Sequence, residues 1–143
     1  MDRSALALLV LIALTGLTAC SSSEDAAIFD EAAAQKSWNT PEKNWHLSEL
    51  RSLEQGRLIY EKNCAACHGK NGGGNLSIGA PSLVNSAIIK GDIRYHIALI
   101  KNGRRVMPAY AKTLSDEEIA NVAAYERNAW GNHDYQIFTH RDK

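Results

Sequence analysis

Two cysteines and a histidine lie close together near the middle of this 143-residue sequence. Cys64 and Cys67 are separated by two alanines, and His68 follows directly. A Cys-x-x-Cys-His segment is the attachment signature for c-type haem, because each vinyl group of the macrocycle needs one thiol and the adjacent imidazole can bind the iron. The spacing therefore predicts one haem c, bound covalently through Cys64 and Cys67, with His68 as an iron ligand.

Three other kinds of site use the same pair of thiols: a redox-active dithiol, half of a zinc site, and a structural disulfide. A thioredoxin-like dithiol expects alternating strands and helices, and the sequence shows no such alternation. A zinc site needs a second pair of ligands at a suitable spacing. The histidines outside the motif do not supply that spacing: His46, His96, His133 and His140. Haem attachment is therefore favoured over these alternatives.

The second iron ligand has one main candidate, because the sequence contains two methionines and one of them is Met1. Met107 precedes Pro108, which lacks a backbone N–H and disfavours helix at the residue before it. An extended loop is therefore predicted, on which the Met107 thioether can face the iron. The alternatives are an ordinary core role for Met107 and ligation by His96. We interpret His96 as a partly buried structural or surface histidine.

The elements that must position these residues have helical patterns. One helix is predicted from about Ser48, its candidate cap, to Cys64. A second helical pattern, DIRYHIALIKN, precedes the methionine loop. Ser115 and Glu118 form a capping box that begins the last helix, which is expected to end near Ala129. The candidate ligands thus follow helices or lie between them.

Charge and composition limit the functional classes. Lys and Arg total 16 and Asp and Glu total 16, so the balanced charge gives no reason to expect a nucleic-acid partner. The chain has two Phe, three Trp and five Tyr, and a core built from these residues alone would be thin. We expect one modest domain whose core the haem completes.

The first nineteen residues have the pattern of an export signal, in which Arg3 precedes a short apolar run that ends in small residues. The segment LTAC, which ends at Cys20, resembles the lipobox of bacterial lipoproteins, in which the cysteine becomes an acylated N-terminus. Two or more acyl chains hold a protein stably at a bilayer. We therefore predict a lipoprotein signal peptide over residues 1–19 and a lipid anchor on Cys20. A short membrane anchor left in place is the alternative.

Residues 20–46 are small, polar and acidic, and they are predicted to form a flexible tether. A short helix over Ile28 to Lys36 has enough alanine to form, but isolated helices of this length are marginal in water. Residues 131–143 are predicted to be a C-terminal tail, with His133 and His140 exposed to solvent.

Residues 47–130 resemble the class I cytochrome c family. Besides the cysteine motif, Gly56 and Tyr60 match a glycine and an aromatic residue that lie, in that family, where the first and last helices cross. Glycine inside a helix costs up to about 1 kcal/mol relative to alanine. A close approach of the two helices is the expected reason for Gly56.

The segment GAPSL, residues 79–83, is similar to a loop of the same family. The resemblance implies that the carbonyl of Pro81 accepts the Nδ1 hydrogen of His68 and that Leu83 lies on the macrocycle. Such a hydrogen bond orients an imidazole ligand and makes it more basic. Family members also often place the axial methionine before a proline, as Met107 stands before Pro108 here.

The resemblance implies an all-α cytochrome c fold, with three main helices and loops around one covalently bound haem. Axial histidine and methionine leave the iron no open position. We therefore expect a one-electron carrier, not an enzyme, with redox proteins as partners and no small-molecule substrate or nucleic acid. The expected location is the periplasm or the outer face of a bacterial membrane, through the lipid anchor. The alternatives are a fixed subunit of an oxidase or dehydrogenase complex, and a peroxidase or gas sensor if Met107 is labile.

Overall fold

The computed structural model describes residues 29–137, and within that range every regular element is helical. The predicted signal peptide, Cys20 and His140 lie outside the described residues. This range contains no β-strand, which confirms the all-α prediction. The α-helices are α1 (Glu31–Trp38), α2 (Leu47–Asn63), α3 (Ala65–His68), α4 (Ala87–Lys90), α5 (Ile93–Asn102) and α6 (Asp116–Asn128), with 3₁₀ turns at Leu76–Ile78 and Ala129–Gly131.

The first long helix, α2, crosses the last helix, α6, at Gly56. A Cβ atom built on Gly56 would overlap the backbone oxygen of Asn121 and lie 2.8 Å from the Cβ of Tyr125. Tyr60, one turn further along α2, is fully buried, and its ring centroid is 5.4 Å from that of Tyr125. The contact expected of Gly56 and Tyr60 is therefore present.

Helix α6 begins where the capping box predicts. The hydroxyl of Ser115 accepts a hydrogen bond from the backbone N–H of Glu118, and the carboxylate of Glu118 accepts one from the N–H of Ser115. The helix ends at Asn128, one residue before the expected end. All of its residues from Ile119 to Asn128 are buried. Because water does not reach this stretch, each of its polar side chains needs a partner inside the protein.

The start of α2 differs from the prediction that Ser48 is its cap. The N-cap is His46, whose backbone N–H donates to the carboxylate of Glu49 at 2.7 Å. Glu49 stands three residues after His46, the position from which a carboxylate can reach back to the cap. The cap therefore lies two residues earlier than predicted.

Residues 29–46 form part of the folded domain, so the prediction of a flexible tether over 20–46 is wrong for this stretch. Ala34 on α1 and Trp45 after it are almost completely buried, in one hydrophobic cluster with Leu50 and Leu53 of α2. The indole N–H of Trp38 donates to Glu54 at 2.7 Å. A helix too short to be stable alone is thus stabilised by packing against α2.

The predicted C-terminal tail also needs correction for residues 131–137. The side chain of Asn132 accepts from the N–H of Asn85 and donates to the carbonyls of Leu83 and Glu126. Asp134 forms an ion pair with Arg127 at 2.7 Å. His133 is exposed, as expected. We call α1, Trp45 and residues 132–137 together the terminal region.

Helices α4 and α5 follow one another and lead to the methionine loop. Ser86 caps α4 and Asp92 caps α5, each through its side-chain oxygen. Ile89 of α4 and Ile100 of α5 are buried. No helix between residues 29 and 137 is long and apolar enough to cross a membrane.

Candidate haem site

A cavity of about 480 Å³ lies between α2, α5, α6 and the loops that join them. This volume is within the range of roughly 300–1,000 Å³ found for small-molecule and cofactor sites. Much of the wall is apolar, including Ile89, Leu99 and Ile100. The cavity brings together all the predicted site residues of the described range: Cys64, Cys67, His68, Pro81, Leu83 and Met107.

The two thiols lie where α2 passes into the single turn of α3. The carbonyl of Cys64 accepts from the N–H groups of Cys67 and His68, at 3.1 and 2.9 Å. This turn holds both sulfur atoms and the imidazole beside one cavity. Both cysteines are free; Cys64 is buried and Cys67 is exposed.

The environment of Cys64 disfavours two of the alternative chemistries. Burial, followed by the negative charge of Glu126, raises the pKa of Cys64 to about 12. The free side chain is therefore a neutral thiol at neutral pH, whereas redox-active cysteines react as thiolates. Among residues 29–137 there is also no cluster of three or more His, Cys, Asp and Glu side chains that could hold a metal ion.

The ring of His68 is oriented by the loop that contains Pro81. Its Nδ1 lies 3.0 Å from the carbonyl oxygen of Pro81. Because a carbonyl only accepts, this contact requires a hydrogen on Nδ1 and leaves Nε2 of the neutral ring with a free lone pair. The structure thus contains the contact that the family resemblance implies.

Glycines hold the Pro81 loop close to the cysteine motif. Gly74 has a φ of +78°, and a Cβ on it would lie 2.6 Å from the carbonyl carbon of Pro81. The N–H of Gly74 donates to the carbonyl of His68 at 2.7 Å. Leu83 is fixed in the same way, since its N–H donates to the carbonyl of Gly72 at 2.7 Å. A side chain at Gly74 would separate Pro81 from His68.

Met107 lies at the end of a tight turn, where it pairs with Arg104 in an isolated β-bridge, and residues 108–110 after it have no regular secondary structure. Arg104 and Met107 exchange two backbone hydrogen bonds of 3.0 and 3.1 Å, and Arg105 between them has a φ of +55°. After the turn, Tyr110 donates its N–H to Ile100 and its hydroxyl to the carbonyl of Asn63. Met107 is half-buried against the hydrophobic cluster that includes Ile100. Backbone pairing thus holds its thioether at the cavity.

The cavity also contains a pair that the sequence analysis did not predict, formed by His96, which was considered above only as an alternative iron ligand, and Glu126, which was not considered. His96 and Glu126 both line it, and Nε2 of His96 is 2.8 Å from Oε2 of Glu126. His96 is 2% exposed, so it is more deeply buried than predicted. Helical spacing could have predicted that both residues are buried. His96 falls one turn before the buried Ile100, and Glu126 falls one turn after the buried Val122.

The rim of the cavity is exposed and partly apolar. Leu76 and Val106 are 86% and 69% exposed. Arg104 and Arg105 also line the cavity and are exposed. The guanidinium of Arg104 donates to the hydroxyl of Tyr95 at 3.3 Å. Apolar residues and cations therefore surround the opening through which the cavity meets solvent.

Comparison with known proteins places the chain in a family. Residues 51–125, more than half of the chain, match the family described as cytochrome C oxidase, cbb3-type, subunit III. The chain is a class I c-type cytochrome of this family. As a cytochrome c domain it carries covalently bound haem c and acts in electron transfer.

Relatives of two kinds are similar to this cytochrome. The cbb3-type cytochrome c oxidase subunit CcoP of Azospirillum brasilense is 39% identical over 94 residues, which are 62% of this chain and 32% of that subunit. Cytochrome c6 of Cyanidium caldarium is 36% identical over 85 residues, 57% of this chain and 75% of the relative. Cytochrome c6 of Parathermosynechococcus lividus is 38% identical over 76 residues, 51% of this chain and 85% of the relative. The cytochrome thus spans about a third of the CcoP relative and most of each cytochrome c6.

The residues of this cytochrome fit haem c. The walls of the cavity are largely apolar, as a macrocycle requires, and two free thiols at the haem-attachment spacing lie at its edge. The Nε2 lone pair of His68 and the thioether of Met107 would be the nitrogen and sulfur donors for the iron of a bound haem. Nothing in the donor set conflicts with the cofactor that the family carries.

Proposed function

We propose that this chain is a mono-haem electron carrier in which Cys64 and Cys67 hold the macrocycle and His68 and Met107 bind the iron. The contact between Nδ1 of His68 and the Pro81 carbonyl is the observation that carries this assignment, because it directs the Nε2 lone pair to ligation. When bound, haem c supplies a one-electron Fe(III)/Fe(II) couple, whose potential is raised by methionine ligation.

The residues of this chain would hold the haem, orient its two iron ligands and enclose the macrocycle. The cysteines prevent loss of the cofactor, since thioether bonds are covalent. The Pro81 loop and the paired turn at Met107 keep both ligands in place during electron transfer, so that little reorganisation accompanies it. Two protein ligands leave no coordination position for a substrate, and on that ground we propose that the protein is not an enzyme. Its partners are redox proteins that approach the exposed rim of the cavity.

We propose further that Cys20 is lipidated after export and that the cytochrome domain lies in the periplasm or at the outer face of a bacterial membrane. The sequence before Cys20 supports this. A lipid anchor would raise the effective concentration of the domain near membrane-bound partners. Because residues 29–46 are folded, the proposed tether can include only residues before Phe29.

A fixed subunit of an oxidase complex is the second candidate function. The family match and the CcoP relatives favour it, because those relatives are named as oxidase subunits. A free carrier and a fixed subunit differ in one measurable property. A fixed subunit would co-purify in stoichiometric amount with an oxidase after mild detergent extraction, whereas a free carrier would separate from it.

The ligand assignment is tested by Met107→Ala in the full chain. We expect the sulfur–iron band at the red end of the visible spectrum to disappear. We also expect the reduction potential to fall by about 100 mV or more, a modest part of the roughly 0.8 V that axial ligands can span. Val106→Ala, at an exposed neighbouring position, is the matched control and should keep both properties.

Two results would contradict the assignment. If the sulfur band and the potential of Met107→Ala match those of the unsubstituted protein, Met107 is not the ligand. If the unsubstituted protein already has a five-coordinate spectrum, the iron is open and the peroxidase or sensor alternative gains support.

The anchor is tested by the mass of the mature N-terminal peptide. A lipidated Cys20 adds the mass of its acyl groups, and Cys20→Ala should release the coloured domain from the membrane fraction. An unmodified cysteine, or an intact residue 1–19 segment, would contradict the lipoprotein prediction.

A further inference from the structure

A buried ionisable pair lines the haem cavity and takes no part in attaching or ligating the cofactor. His96 on α5 is 2% exposed and Glu126 on α6 is 5% exposed, with Nε2 and Oε2 at 2.8 Å. Burying such a pair costs desolvation energy, and two apolar side chains of similar size often stabilise a protein as well or better. Stability alone therefore does not explain why this pair is buried, and we consider a functional role.

The second ring nitrogen of His96 can accept a proton. Nδ1 is buried and has no hydrogen-bond partner among residues 29–137. If Nε2–H donates to an ionised Glu126, Nδ1 carries a free lone pair. A proton added at Nδ1 changes the net charge of the pair from −1 to zero. This change occurs at a site from which water is largely excluded.

The charge of Glu126 is felt at the part of the cavity where the cofactor is attached. After burial itself, the carboxylate of Glu126 is the main cause that raises the pKa of Cys64. The same order of causes, burial and then Glu126, raises the pKa of Tyr60. Charges interact more strongly in such a poorly solvated region than in water. The protonation state of the pair and the charge on the iron should therefore affect each other.

Other titratable groups around the pair keep their charge between pH 5 and 8. Burial raises the pKa values of Tyr60 and Tyr110, so both phenols stay neutral. Cys64 is a thioether once haem is attached. The arginines near the pair or along the cavity stay cationic throughout this range: Arg104, Arg105 and Arg127. Within the surrounding protein, His96 and Glu126 are thus the groups that can exchange a proton.

We infer that His96 and Glu126 form a proton-binding site coupled to the iron, so that the protein takes up a proton as it accepts an electron. The redox partner supplies the electron, which reduces Fe(III) to Fe(II). Water supplies the proton, which binds Nδ1 of His96. Oxidation reverses both transfers. Reduction removes one positive charge from the cavity, and an imidazolium is then more easily accommodated there. This inference rests on the proposed position of haem in the cavity.

The test is the reduction potential of the haem-loaded full chain as a function of pH. We expect the potential to fall as pH rises between 5 and 8, because the proton favours the reduced state. By Coulomb's law with an effective dielectric constant of about 20, a unit charge about 12 Å away changes proton binding about tenfold, and we expect reduction to tighten it by that order. For a one-electron couple a tenfold change corresponds to 59 mV.

Three variants locate the effect. The double variant His96→Gln/Glu126→Gln has no titratable group left in the pair, so its potential should no longer depend on pH in this range. Glu126→Gln should move the pH-dependent region to lower pH, because the carboxylate no longer favours the imidazolium. His133→Gln, at an exposed histidine, is the matched control and should behave like the unsubstituted protein.

A second measurement needs no variant. Reduction of the unsubstituted protein in weakly buffered solution should take up a measurable fraction of one proton per electron near neutral pH. No uptake, or a pH dependence that persists in His96→Gln/Glu126→Gln and so comes from the carboxyl groups of the haem itself, would overturn the inference. A colourless protein would instead overturn the proposed function.

Discussion

Tyr125 and Glu126 are neighbours on α6, yet they belong to two regions with different chemistry. Glu126 lines the haem cavity, whereas Tyr125 lines a groove of about 910 Å³ together with Trp38, Trp45 and Trp130. Aromatic rings make up much of this groove. The ring of Tyr125 packs edge-on against those of Trp38 and Trp130, with ring centroids 5.7 and 5.3 Å apart. Among the described residues that line the cavity, Tyr110 is the one Phe, Tyr or Trp side chain, and a bound macrocycle would supply the remaining volume.

The two regions also use hydrogen bonds differently. In the terminal region, polar side chains on α6 bind segments that are close in sequence: Arg127 pairs with Asp134, and Asn128 binds the backbone of Tyr135 and Gln136. In the cavity, the hydrogen bond of His68 orients a ligand. One face of α6 therefore packs in the terminal region and the other lines the haem cavity, and the close crossing at Gly56 holds α6 against α2.

The largest effect is expected from Gly56→Ala, which should damage both regions. Alanine improves helix propensity by up to about 1 kcal/mol, but its Cβ would overlap the backbone of Asn121. Overpacking costs about 1–3 kcal/mol and more where backbone must move. We expect a net loss of about 2 kcal/mol or more in the free energy of unfolding, measured by denaturant titration with far-UV circular dichroism.

Gly73→Ala is the control for this substitution, because a Cβ there meets only the side chain of Asn71. Unfolding of Gly56→Ala at the same denaturant concentration as the control would show that α2 and α6 can separate without cost, contrary to the crossing described above.

A smaller effect is expected from Trp38→Phe, which should affect the terminal region alone. The substitution keeps an aromatic ring near Tyr125 but removes the 2.7 Å hydrogen bond to Glu54. A hydrogen bond to a charged group contributes about 1.5–3 kcal/mol, and Arg57 still binds Glu54. We expect a loss of about 1–2 kcal/mol with an unchanged visible spectrum and reduction potential. A shifted potential would mean that the two faces of α6 are not independent.

The smallest effect concerns alkaline pH. Burial, followed by the charge of Glu61, raises the pKa of Tyr125 to about 12. The unfolded chain, with a phenol pKa near 10, therefore loses this proton first as pH rises. The stabilisation that this pKa difference at Tyr125 contributes is fully present below pH 10 and is lost between pH 10 and 12. We expect Tyr125→Phe to reduce this loss by less than about 1 kcal/mol at pH 10.5.

Tyr95→Phe is the matched control, because Tyr95 is half exposed. Denaturant titrations at pH 8 and pH 10.5 provide the comparison. An equal alkaline loss in Tyr125→Phe and the unsubstituted protein would show that the phenol of Tyr125 titrates alike in both states.

Several parts of this structure can be predicted from the sequence because their signals are local. The capping box at Ser115 acts within three residues, and Gly56 and Tyr60 are separated by one helical turn. The paired turn at Met107 could not be predicted in the same way. It depends on a positive φ at Arg105, a residue whose type does not favour that conformation.

The all-α class, the haem motif and the methionine candidate follow from the sequence alone, because each depends on residue type and short spacing. The folding of α1 and the contact between His96 and Glu126 depend instead on how the helices pack. A short polar helix is marginal until Leu50 and Leu53 cover its buried side. The His96–Glu126 pair joins residues thirty positions apart, and either side chain alone would be too costly to bury. Contacts of that kind exist only once α5 and α6 have packed together.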